Sequence, residues 1–109
     1  MIDCLVILVS AGSREEGERI AAALVGEQLA ACVNIIGPVR SIYRWENEVR
    51  RDDEWLLVIK APATQFEALA ARVRALHSYE TPEVIAVPIT AGSAAYLEWV
   101  RSVTRTPGT

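Results

Sequence analysis

Residues 31–60 read ACVNIIGPVRSIYRWENEVRRDDEWLLVIK. Val33, Ile35, Val39, Ser41, Tyr43 and Trp45 fall on one parity, and Ile36, Ile42 and Arg44 on the other, which is the two-residue period of extended chain. Gly37-Pro38 interrupts the run, and because proline cannot donate to a ladder, a bulge or edge position is expected there. Glu46-Asn47-Glu48 supplies a turn, since Asn is among the few residues besides glycine that tolerate left-handed backbone. A second arm follows from Val49 to Lys60, ending in the apolar run Trp55-Leu56-Leu57-Val58-Ile59. At about 3.3 Å per residue such an arm reaches about 40 Å, more than a small sheet can cover. Part of this hairpin therefore needs a partner from elsewhere, and Tyr43, Trp45 and Trp55 are of the residue types enriched at interfaces.

Outward from the hairpin, Cys4 to Val9 is a continuous apolar, β-rich run and reads as a first strand. Ser13 followed by Glu16 has capping-box spacing for a helix carrying Ile20, Leu24 and Leu29, expected to reach about Ala30 unless Gly26 ends it early. Past Ala61-Pro62, Thr64 and Glu67 repeat that spacing ahead of Phe66, Leu69, Ala70, Val73 and Leu76, one face of a second helix. Val84 to Ile89 forms the fourth strand. Ser93 caps a third helix with Tyr96, Leu97, Val100 and Val103, and Thr106 to Thr109 should fray. The order βαββαβ plus a C-terminal helix predicts an α+β, ferredoxin-like fold: an antiparallel sheet with two helices on one face and an extended β2–β3 hairpin.

The 109 residues suit a single domain, residues 1–109. Hydrophobic residues are 51% and charged residues 23%, enough to bury a core and stay in solution. Eleven basic against fourteen acidic side chains, mixed in sign along the chain, leave no basic stripe, so nucleic acid is not an expected partner. The run from Cys4 to Val9 is far shorter than the roughly 20 residues that cross a bilayer, so neither a membrane anchor nor a signal peptide is expected. Cys4 and Cys32 both lie in apolar stretches, which suits buried, reduced thiols in a cytoplasmic protein.

Four strings add what periodicity cannot. Leu29-Ala30-Ala31-Cys32-Val33-Asn34-Ile35, Ser41 to Val49 (SIYRWENEV), His77 to Ile89 (HSYETPEVIAVPI) and Tyr96-Leu97-Glu98-Trp99 resemble, in order and spacing, the CutA family of divalent-cation tolerance proteins. The resemblance implies a homotrimer in which long hairpins of neighbouring subunits pair edge to edge, a kinship in shape to the P-II signalling proteins, and an association with tolerance to copper and other divalent ions. Ser78 departs from the family's usual proline, and Asn47 stands where glycine is common. Copper binding in the family has been tied to a cysteine at the end of strand one and a histidine pair. Here those places hold Val9 and Leu76-His77, so only His77 carries over.

His77 is the sole histidine, and copper-type sites want several nitrogen or sulfur ligands. Its simpler role is to satisfy carbonyls at a helix C-terminus, with weak copper or other divalent-cation binding as the functional alternative. Tyr43, Trp45, Lys60, Tyr79 and Glu80 stand in the signature strings as residues that could converge on an inter-subunit pocket for a small ligand or metal; equally, they could make an interface of aromatic packing and a Lys–Glu pair. Glu46, Glu48, Asp52, Asp53 and Glu54, interleaved with Arg44, Arg50 and Arg51, read as a solvated, ion-paired tip. No Ser-His-Asp order, Cys-His pair or phosphate loop is visible, so no enzyme is expected. The function expected is that of a trimeric divalent-cation tolerance protein. The alternative is a P-II-like signalling module with a small ligand in the inter-subunit cleft.

Overall fold

The computed structural model describes residues 3–105. Its elements are β1 (Cys4–Ala11), α1 (Arg14–Gly26), β2 (Cys32–Trp45), β3 (Glu48–Pro62), a 3₁₀ turn (Ala63–Gln65), α2 (Phe66–Leu76), β4 (Val84–Pro88) and α3 (Ala94–Ser102). The four strands form one sheet in the order β2-β3-β1-β4, with every neighbouring pair antiparallel. This is the expected ferredoxin-like arrangement with an added C-terminal helix.

Strand parity decides what each face does. Leu5, Ile7, Val9, Val33, Ile35, Leu57, Ile59 and Val84 meet Ile20 and Leu24 of α1 and Leu69 and Val73 of α2 in one core. Burying a side chain such as Leu57 or Ile20 there stabilises the fold by about 1.5–3 kcal/mol. The alternate residues, Val6, Leu8, Leu56, Val58, Ile85 and Val87, lie on the opposite face. Only its Cys4 end is covered, where Val100 and Leu97 of α3 pack against Cys4. Ile85 and Val87 remain 53% and 51% exposed, and Ile36 of β2 50%.

β1 pairs with β3 only from Trp55 to Pro62, so the stretch from Glu48 to Glu54 pairs with β2 alone and overhangs the sheet as a two-stranded arm. At its tip Glu46 and Asn47 both have positive φ, 51° and 66°, a primed two-residue turn that matches the twist of the strands. At its root the β2–β3 register shifts between Ile36 and Val39, where the Gly37–Pro38 peptide is cis. The Trp55 ring packs on Gly37 so closely that a Cβ there would sit 2.3 Å from its Cδ1.

Several local expectations are corrected. α1 ends at Gly26, four residues before Ala30: Gln28 turns to φ 62°, and Leu29 and Ala30 both donate to the Leu24 carbonyl, which swings Leu29 into the core. Thr64 caps nothing. The 3₁₀ turn, pinned by Ala63 N–H donating to the Asp3 carbonyl at 2.8 Å, leads straight into α2 without a side-chain cap. Ser93 does cap α3, accepting from Tyr96 N–H. Cys4 is buried but Cys32 is half-buried, because the face it occupies is mostly open. Thr106 to Thr109 lie outside the described residues.

Candidate functional site

The site grows from the end of β1. After Ala11 the chain turns at Gly12, and Ser13 caps α1 by accepting from Glu16 N–H at 3.1 Å. The Glu16 carboxylate does not close the box on Ser13. One oxygen accepts from Gly12 N–H at 3.3 Å, and the other reaches across to Ser78 N–H at 2.7 Å. Burial of Glu16 opposes ionisation, but the donors from Ser78 and Gly12 outweigh it and hold the carboxyl below its usual range.

His77 leaves the C-terminus of α2 with extended backbone and a side chain fully shielded from solvent. Its Nε2 lies 2.7 Å from the Ser10 carbonyl, which can only accept, so Nε2 carries the hydrogen; Nδ1 accepts from Tyr79 N–H at 3.0 Å. The ring thus serves a β1 carbonyl, and not the carbonyls ending α2 as expected. Glu16 Oε2 stands 3.7 Å from Nδ1. The Tyr79 ring stacks obliquely on His77, centroids 4.6 Å apart, and its hydroxyl donates to Glu54 at 2.8 Å. Burial first, then the Glu54 carboxylate, pushes the Tyr79 phenol well above its ordinary value. A Cβ on Gly12 would lie 3.1 Å from that hydroxyl, so the turn must be slim for Tyr79 to lie where it does.

These bonds hold segment 77–83 against the root of the arm and leave a cleft of about 640 Å³ between them. Ser10, Glu54 and Tyr79 line it with Ser41, Ile42, Tyr43, Trp45 and Arg50 from the arm and Glu80, Thr81 and Glu83 from the segment. Of the predicted pocket residues, Tyr43, Trp45, Tyr79 and Glu80 therefore meet. Lys60 does not: it stands opposite Cys32 and Val6 and is hydrogen-bonded to Asn34, so no Lys–Glu pair forms with Glu80. His77 lies beneath the cleft without lining it. Of the predicted interface residues, Tyr43 and Trp45 are exposed, whereas Trp55 faces the other way onto Gly37.

Glu54 is the residue sequence reasoning missed. It was expected in a solvated tip, yet it is only 8% exposed. The one available signal was its parity: it shares a face with Leu56 and Val58 and directly precedes the apolar run. The rest of the tip is ion-paired as expected, with Arg40 on Asp53 and Arg50 near Glu48. The Tyr43 hydroxyl donates to Asp52, which raises its phenol. No group of three or more His, Cys, Asp or Glu side chains gathers as a metal site among the described residues.

Residues 5–103 match the model of the CutA1 divalent ion tolerance protein family. The chain belongs to that family. It is 48% identical over 91% of its length to the divalent-cation tolerance protein CutA of Thermus thermophilus, spanning 96% of that protein. It is 46% identical over 95% of its length to the chloroplastic protein CutA of Arabidopsis thaliana, of which it spans 57%. The crystal structure of CutA1 from Oryza sativa superposes with a TM-score of 0.93 at 43% identity, covering 95% of each chain. The CutA resemblance read from the four strings is thereby shown, and so is the fold it implied. In this CutA family member carboxylates and aromatic rings face the cleft, while both nitrogens of the sole histidine are held by backbone groups. Among the described residues no helix is long and apolar enough to cross a membrane.

Proposed function

We propose that this chain works as a homotrimeric, non-catalytic protein of divalent-cation tolerance, that it meets copper weakly through His77, at most one ion per subunit, and that the cleft bordered by Tyr43, Trp45, Tyr79 and Glu80 is the ligand site of the trimer. The observation that carries the metal reading is the His77 ring. Its nitrogens are engaged by the Ser10 carbonyl and the Tyr79 N–H, so a copper ion must displace a hydrogen bond and finds no second imidazole or buried-thiol partner assembled beside it. The described residues thus do not make a closed metal centre. Two observations support the trimer: the half-open apolar face of the sheet, and the arm whose β2 edge has no partner among the described residues. The two free thiols support a cytoplasmic setting.

Calorimetric titration of metal-free protein with copper(II) tests this reading. The wild type is expected to bind weakly, His77→Ala to lose that binding, and chelator-treated protein to keep its fold and assembly. Tight binding that survives His77→Ala would contradict it.

A further inference from the structure

The cleft beside Tyr79 is roomy, and its lining is mostly acidic among its charged groups. Its volume of about 640 Å³ is in the range of small-molecule sites, roughly 300–1,000 Å³, and far exceeds what one ion needs. Three carboxylates, Glu54, Glu80 and Glu83, face it against one guanidinium, that of Arg50. Glu54 is nearly buried and, among the described residues, takes a hydrogen bond from the Tyr79 hydroxyl alone and is in no ion pair. Burial first, and then the charge of Glu54, push the neighbouring Glu83 carboxyl up. Further out on the same arm the rings of Tyr43 and Trp45 are 39% and 46% exposed. Aromatic faces near carboxylates attract ammonium and guanidinium groups, which gain both ring and carboxylate contacts, whereas a divalent metal wants converging oxygens.

We infer that the cleft binds a small organic cation, its ammonium or guanidinium head set against Glu54 and Glu83 and its stem lying towards Tyr43. This rests on the proposal that the cleft is a ligand site and names the chemical class of what enters it. Arg50, at the rim and 3.9 Å from Glu48, is then the charge the ligand competes with.

Isothermal titration of the intact assembly with agmatine, beside n-butyrate and magnesium chloride at matched ionic strength, tests the inference. Saturable agmatine binding is expected, at one molecule per chain. Glu54→Gln, which can still accept from Tyr79, should weaken it at least about tenfold, since hydrogen bonds to charged groups are worth about 1.5–3 kcal/mol. Glu83→Gln should weaken it as well, the exposed Arg50→Gln should tighten it, and Lys60→Met should leave it unchanged. Should Glu54→Gln fail to fold, the other three decide. Binding of butyrate or magnesium without agmatine, or agmatine binding indifferent to Glu83 and Arg50, would overturn the cation while leaving the cleft a ligand site. Binding of none of the three would end both.

Discussion

At Gly37 the backbone and the Trp55 ring share a space with no room for a methyl group. Gly37→Ala should therefore destabilise the protein by about 1–3 kcal/mol, the ordinary cost of overpacking, seen as a lower urea midpoint at unchanged slope. Glu16 makes a prediction about pH. Its folded carboxyl is held below the unfolded value by donors from Ser78 and Gly12. It stabilises the fold above the unfolded value of about 4.5, and that contribution is lost as pH falls through the folded one. Glu16→Gln should show a shallower loss of melting temperature on acidification below about pH 5 than wild type; an unchanged acid limb would show that Ser78 N–H does not depend on the charge. The spacing Ser13 to Glu16 made the cap legible in the sequence. That the carboxylate would also reach Ser78, 62 positions away, was not, because local spacing says nothing about which distant loop returns to a helix start.

The arm was the most legible element. Its period of two, the Gly37-Pro38 break and the turn at Asn47 all appear where residues 31–60 place them. Its contribution to the site was less so. Tyr43 and Trp45 could be named from their type, but Glu54 looked like one more charge at a tip rich in them, and only pairing with β2 shows that it sits at the root beside Tyr79. Lys60 failed for the converse reason: it is the only lysine and lies on the same strand as Glu54, yet six residues of extended chain, about 20 Å, separate the two. At the turn, Asn47 holds φ 66°. Asn47→Val should cost about 1–2 kcal/mol, as β-branched residues resist left-handed backbone, whereas Asn47→Gly should be tolerated; thermal unfolding of the two variants separates these outcomes.

At the scale of the whole molecule, one apolar sheet face is half uncovered and one arm has a free edge, and both are liabilities for a lone chain. The proposed trimer would cover them. Trp45→Ala, on the exposed part of the arm, should weaken assembly while leaving the folded chain intact. Trp55→Ala should act first on the chain, through the root at Gly37. The most direct test of the account is sedimentation velocity of the metal-free wild type at low micromolar concentration. The account predicts a single species of three times the 11.9 kDa chain mass; a single species of one chain mass would contradict it.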